Sequence, residues 1–330
     1  MSIFFARESL RRQPSALEAY LDAKGYVATN LSLARCIVFE NIDDISKLVN
    51  SPSLDTQLPK VLVRTEPSVV SPKSYSHKHL ASFDLVLTMG TGVSINEEPL
   101  GWPQDFGQQN NLSLPEFANR FDKPVMVASD KISFVAGELY SLRRQALFSI
   151  PEIVLFGFAW GNRFHVKLLR LIKELLIALM ARVQLSPLAA RYFFRRPKSY
   201  AGQVENKREA ISAYKYSVVI ENEAGYVSEK LFDALFAGCI PIYVGPNLRE
   251  FDFPPGLVIQ VEASISAIKE GLTSARSIDI KKWNELRSGF LQSPTTSLRW
   301  KSENVYDDIA RRLLRISQHQ SGSGGPEVDR

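Results

Sequence analysis

Residues 214–246, YKYSVVIENEAGYVSEKLFDALFAGCIPIYVGP, constrain the fold more than any other stretch, because two apolar runs, a polar loop and a short amphipathic segment follow without a gap. Tyr216 to Ile220 is β-branched and apolar, the pattern of a strand buried on both faces. Glu221 to Gly225 cannot continue it. From Tyr226 onward Val227, Leu231 and Leu235 recur at helical spacing, with Ser228, Glu229 and Lys230 in the first turn and Gly238 placed as a stop. Ile240 to Val244 is a second strand, with Pro241 near its start, where a missing ladder donor is tolerable. The stretch reads as one βαβ unit. A helix that begins directly after a buried strand offers unpaired N–H groups and the positive end of its dipole, a natural seat for phosphate, and Lys230 adds a full charge there.

The same residues carry a family resemblance. Glu221-Asn222, then Tyr226-Val227-Ser228-Glu229-Lys230, then Ala237-Gly238-Cys239-Ile240-Pro241-Ile242-Tyr243-Val244-Gly245-Pro246 closely resemble the donor-binding signature of the α-1,3/1,4-fucosyltransferases, glycosyltransferase family 10. Upstream, Tyr200, Gly202, Lys207 and Tyr214-Lys215-Tyr216 resemble that family's lead-in. The resemblance covers residues from about 123 to 262 well and the N-terminal part thinly. It implies a GDP-β-L-fucose donor and an inverting transfer.

Length and charge are compatible with this. At 330 residues the chain is long enough for two cores, and its formal charge of +5 suits an anionic nucleotide-sugar but is too small to argue for nucleic acid. Two cysteines, Cys36 and Cys239, give no disulfide framework. The opening MSIFFARESLRRQ is too short in apolar residues for a signal peptide, and no run reaches the ~20 that a spanning helix needs. The expectation is a cytoplasmic protein, and the N-x-S sequons at Asn30 and Asn111 then carry no weight.

Taken in order, strands are expected at 2–6, 35–39, 61–63 and 82–88, with a helix over 14–23. Val61-Leu62-Val63 runs into Arg64-Thr65-Glu66-Pro67, which puts Glu66 at the carboxyl end of a strand, where ligands collect in open α/β sheets. By residue type Glu66 is a plain loop carboxylate; the resemblance implies a catalytic base after this strand, and Glu66 stands there. Residues 90–119 form a polar loop long enough to be functional, suited to an acceptor site. Gly90-Thr91-Gly92 is too little for a dinucleotide fingerprint.

A second domain is expected to begin near the strand at 124–128, giving a division into 1–122 and 123–318 with a disordered tail over 319–330. The helix GELYSLRRQALF carries Arg143 and Arg144. The resemblance implies one arginine there on the donor diphosphate; Arg144 fits the pattern better, and Arg143 remains the alternative, as do two plain surface arginines. Residues 163–198 depart from the family pattern: a leucine-rich helix with Lys167, Arg170 and Lys173 precedes Arg191-Tyr192-Phe193-Phe194-Arg195-Arg196. They form either a helix on the sheet with snorkelling cations or a basic patch resting on the anionic inner membrane.

Strands alternating with helices in two successive sets imply an α/β chain of two Rossmann-like domains facing a cleft, the GT-B architecture. In the reaction that the resemblance implies, Glu66 takes the acceptor proton. Arg144, Lys230 and the helix N-terminus stabilise departing GDP. Asn222, Tyr226, Ser228 and Glu229 hold the donor. The partners are the nucleotide-sugar and a glycan acceptor. No D-x-D motif is present and His77 and His79 lack companion ligands, so no cofactor is required and no divalent metal is expected to be essential. Rival readings are a GT-B enzyme of another nucleotide-sugar, a non-catalytic glycan-binding protein, and a membrane-surface protein.

Overall fold

The computed structural model describes residues 2–6, 14–41, 57–75, 80–89, 96–106 and 114–319. His77, His79, Gly90-Thr91-Gly92, the Asn111 sequon and the tail from 320 lie outside them. The chain forms two compact units, Met1–Pro103 with Arg299–Arg330, and Gln104–Leu298.

In the first unit, β1 (Ile3–Ala6), β2 (Cys36–Glu40), β3 (Lys60–Arg64), β4 (Leu85–Thr88) and β5 (Glu97–Pro99) form a parallel sheet in chain order. Buried Ile37, Phe39, Leu62 and Val86 fill its core, as the apolar runs require. The helix α1 (Ala16–Ala23) is capped by Ser15, whose hydroxyl accepts from the Glu18 N–H.

The second unit holds a six-stranded parallel sheet. Its strands are β6 (Phe121–Val127), β7 (Val154–Phe156), β8 (Tyr200–Gly202), β9 (Tyr214–Ile220), β10 (Ile240–Val244) and β11 (Ile259–Gln260). The spatial order is β11-β10-β9-β6-β7-β8. The chain thus grows one way from β6 and then returns to start again with β9 on the other side, which makes a topological switch point between β6 and β9. Ligands in open α/β sheets bind outside the carboxyl ends of strands at such a point.

Six helices of this unit are α2 (Tyr140–Ser149), α3 (Phe164–Ala181), α4 (Lys207–Ser212), α5 (Glu229–Phe236), α6 (Ile265–Ala275) and α7 (Ile280–Gln292). Leu231, Phe232 and Leu235 of α5 are fully buried, each worth about 2 kcal/mol of apolar burial. Gly238 takes a left-handed φ of 69° just past α5, and the Arg120 guanidinium donates to the carbonyls of Ala237 and Gly238 at 2.9 and 2.7 Å.

Two observations bear on the expectations. The boundary at 122 and 123 is not where the compact units divide, and the closing helices do not all stay with the second unit. A short helix α8 (Pro294–Trp300) leads into α9 (Ser302–His319), whose Val305, Ile309 and Leu313 are buried. The α9 helix packs on α1 and β2 of the first unit. Asp307 of α9 accepts from Tyr20 at 3.0 Å and pairs with Lys24 at 2.7 Å.

The second concerns α3, whose Lys173 is exposed but whose Lys167 does not snorkel. It turns Lys167 inward, where Nζ donates to Asp130 Oδ2 at 2.6 Å and to the Phe193 carbonyl at 2.9 Å. Arg170 donates to the Asp130 carbonyl at 2.9 Å. Burial pushes the Asp130 carboxyl up from its ordinary range, although Lys167 and Arg144 pull it back. Removing one partner of a buried pair strands the other charge, so Lys167→Ala is expected to lower stability by about 3 kcal/mol, read as a lower urea midpoint; an unchanged midpoint would show the pair to be dispensable.

Candidate functional site

The carboxyl end of β9 lies at the switch point, and the residues that follow it are gathered around one buried carboxylate. The Glu221 N–H donates to the Val244 carbonyl at 2.9 Å, so the backbone keeps step with β10 for one residue beyond the strand. Its side chain is 0% exposed. One carboxylate oxygen accepts from the Ser228 N–H at 3.0 Å and the Tyr243 hydroxyl at 3.4 Å, and the other from the Ser228 hydroxyl at 2.6 Å. Ser228 is the N-cap of α5. Glu221 therefore fixes the point at which α5 starts.

Around this anchor the charges alternate. Lys230 Nζ donates to the Ser228 hydroxyl oxygen at 2.9 Å and lies 3.7 Å from Glu221 and 3.7 Å from Glu229. Its side chain is 21% exposed, so the cation reaches the surface at the helix N-terminus. Burial pushes the Glu221 carboxyl up, opposed by Lys230 and the Ser228 hydrogen bonds. For Glu229 burial acts the same way, but Lys230, Lys207 and Arg143 outweigh it and hold the carboxyl below its ordinary range.

The two arginines of α2 part company. Successive helical residues point about 100° apart, so both cannot face the same partner. Arg143 faces β9: its Nε donates to the Ile220 carbonyl at 2.8 Å and Nη2 to Asn222 Oδ1 at 2.9 Å. The backbone joins α2 to β9 as well, since the Leu139 N–H donates to the Asn222 carbonyl at 2.9 Å. Arg144 is 1% exposed and donates to the carbonyls of Arg191 at 2.9 Å, Lys131 at 2.6 Å and Ala189. The structure thus brings Asn222, Tyr226, Ser228, Glu229 and Lys230 together with Arg143, and sets Arg144 in the anchorage of the 189–191 segment. Tyr226 and Ser228 are buried, so their side chains shape the site from within.

Glu221 opens the signature segment, but sequence reasoning gave it no role of its own. The signal was there, as a carboxylate directly after an apolar strand. Glu66 lies in the first unit, two residues past β3 and partly exposed. Its N–H donates to Asn41 Oδ1 at 2.9 Å, and its carbonyl accepts from the Tyr75 hydroxyl at 3.0 Å. Beside it, Arg64 pairs with Glu97 at 2.8 Å. Among the described residues no group of three His, Cys, Asp or Glu side chains is placed to hold a metal ion.

Known proteins resemble this chain at two levels. No family model matches it. A 60-residue stretch, 18% of the chain, is 43% identical to the alpha-(1,3)-fucosyltransferase FucT of Helicobacter pylori and covers 13% of that protein. A 53-residue stretch, 15% of the chain, is 49% identical to a fucosyltransferase-like protein of Arabidopsis thaliana and covers 10% of it. The matched stretches thus span little more than a tenth of these relatives.

The likeness in structure runs much further. A crystal structure of an alpha1,3-fucosyltransferase matches with a TM-score of 0.54 at 15% identity, over 96% of this chain and 90% of that one. Its form with GDP gives 0.52, also at 15% identity and over the same shares. Anabaena Alr3699/HepE in complex with UDP and glucose gives 0.56 at 11% identity, over 96% of this chain and 100% of that one. The chain has the GT-B fold of these glycosyltransferases.

The anchor makes a pH-dependent contribution of definite sign. Because burial raises the folded-state pKa of Glu221, its protonated form favours the fold. That contribution is fully present below the ordinary glutamate range and is lost as pH rises through the raised folded-state value. Glu221→Gln is expected to remove this decline, seen as a flatter dependence of the urea midpoint on pH above the ordinary glutamate range. Parallel curves for variant and wild type would show that the carboxyl is not perturbed.

Proposed function

We propose that this chain is an inverting fucosyltransferase that transfers L-fucose from GDP-β-L-fucose to a sugar hydroxyl of a glycan in an α-1,3-type linkage. The observation that carries the reading is the short, strong sequence likeness to the Helicobacter pylori FucT, together with a signature segment that builds a cation-bearing helix N-terminus at the switch point. The GT-B fold is shared by enzymes of several donors and does not choose among them. The signature does.

In this reading the acceptor oxygen attacks C1 of fucose from the face opposite the diphosphate. The new C1–O bond forms as the C1–O bond to phosphate breaks, and inversion turns β into α. Glu66 takes the acceptor proton as general base, which suits a partly exposed carboxylate at the carboxyl end of a parallel strand. Charge growing on GDP meets Lys230 and the N–H groups at the start of α5, with Arg143 buried behind them on the Ile220 carbonyl and Asn222, where it positions Asn222 and adds positive field, all held before the reaction begins. Arg144, whose guanidinium is spent on backbone carbonyls, makes no donor contact in this assignment. Asn222 and Glu229 bind donor hydroxyls. No divalent ion is needed, because fixed cations and backbone dipoles supply the countercharge. A cytoplasmic setting suits the two free, buried thiols of Cys36 and Cys239.

A thermal-shift panel with GDP, UDP, CDP, ADP and GDP-fucose tests the donor, since a ligand at 100 times its Kd adds about 2.7 kcal/mol to stability. GDP and GDP-fucose are expected to stabilise the chain selectively. A preference for UDP, the nucleotide in the HepE structure, would keep the fold and overturn the donor.

Two variants separate binding from chemistry. Lys230→Ala is expected to weaken GDP about ten-fold, the loss of one charge-assisted contact. Glu66→Ala should leave the GDP shift intact and abolish transfer to a lactosamine acceptor. Full transfer by Glu66→Ala would remove Glu66 as the base.

A further inference from the structure

An amphipathic helix of a water-soluble fold turns its apolar face to the core, but α3 leaves most of its apolar side chains outside. Its inner face carries Lys167, Leu171, Glu174 and Ala178, with Leu171 packed on Ile132, Ala189 and Phe193, and its outer face carries Leu168, Leu169, Ile172, Leu176, Leu179 and Met180, exposed by 38% to 67%. At 100° per residue these six fall on one continuous side over a helix about 27 Å long. They make an apolar patch of a few hundred Å², the size at which such a surface marks an interaction site. The orientation is not accidental, because the Lys167–Asp130 pair and the Arg170 hydrogen bond lock the polar side inward.

The surrounding charge says what covers the patch. Between Phe158 and Lys198, leaving out Lys167, which is buried on Asp130, there are eight Lys and Arg residues against one acid, Glu174, which lies on the inner side. Exposed Lys173 borders the apolar face, exposed Arg182 closes its far end, exposed Arg163 stands at its start, and exposed Arg195, stacked over Phe148, follows Phe194. There Phe164 and Phe194 pair at 4.9 Å, both exposed. An apolar stripe ringed by cations with aromatics at one end is the pattern of a helix lying in the plane of an anionic bilayer. A second copy of the chain would bring two like-charged rims together, which the excess of positive charge opposes. Among the described residues no helix is long and apolar enough to cross a membrane, so α3 lies on the surface.

We propose that the outer face of α3 docks this protein onto an anionic lipid surface, with the apolar side chains entering the headgroup boundary and the ring of arginines and lysines meeting lipid phosphate. This does not depend on which nucleotide-sugar is used.

The test is sedimentation of the full chain with vesicles of phosphatidylcholine alone and of phosphatidylcholine mixed with phosphatidylglycerol. Wild type is expected to pellet with the mixed vesicles and to be released by salt. Leu169→Glu with Leu176→Glu, both at exposed positions, should reduce partitioning at least ten-fold. Neutralising Lys173 or Arg195 should reduce it roughly five-fold for each charge. An unchanged melting temperature keeps the comparison to folded protein. Absence of binding to either vesicle, or equal binding by the leucine variants, would overturn the proposal. So would a wild-type dimer that the leucine variants dissolve without any lipid binding, since the occupant would then be a second copy.

Discussion

The buried carboxylate of Glu221 is the constraint on which the proposed donor end of the chain depends. A charge taken fully out of water is costly unless its oxygens are satisfied, and here Ser228 and Tyr243 provide hydrogen bonds with Lys230 close by. The Ser228 backbone and hydroxyl meet the same carboxyl group, so the loop between β9 and α5 closes at one place. Everything presented at the start of α5 inherits its position from that closure. Lys230 is doubly held, by the Ser228 oxygen and by two carboxylates, and still reaches solvent. A cation fixed in this way can meet an anionic group without first being reorganised.

Sheet order decides where that arrangement stands. In the second unit the return from β8 to β9 leaves the ends of β9 and β6 at the switch point, and Glu221 and Asp130 both follow those ends. They have opposite uses: Glu221 orders the start of α5, whereas Asp130 receives Lys167 of α3. The first unit has no reversal among its described strands, so topology there singles out no strand end. Glu66 rests on the local geometry made by Asn41 and Tyr75.

The sequence made the β9, α5 and β10 segment legible because its signals are local: a β-branched run, helical spacing and a glycine stop. Strand β10 has the expected bounds of 240 and 244. Helix α5 begins at Glu229, three residues later than its apolar periodicity suggests, because Tyr226 and Val227 are buried in the loop that Glu221 closes. The distinction between Arg143 and Arg144 was not legible. Both are arginines on one helix, and only the packing of α2 between β9 and the 189–191 segment tells them apart. The return of α9 to the first unit was hidden for a related reason, since its apolar stripe would pack equally well on either sheet. The short strands β5 and β8, of three residues each, carry too little pattern to be read.

The adjacent arginines also join two parts of the second unit that have different tasks in the proposed enzyme. Arg143 ties α2 to the end of β9, while Arg144 ties it to the segment beside α3 and lies 4.0 Å from the Asp130 carboxylate that holds Lys167. The helix proposed to meet lipid and the strand end proposed to meet the nucleotide-sugar are therefore gripped by consecutive side chains of one rigid element. Three of the charged groups involved, Asp130, Arg143 and Arg144, are almost wholly buried. Small displacements would strand charge at high cost, so this anchorage resists bending. A protein docked through α3 would hold its donor site at a fixed height and angle to the bilayer, which suits an acceptor that is itself attached to the membrane.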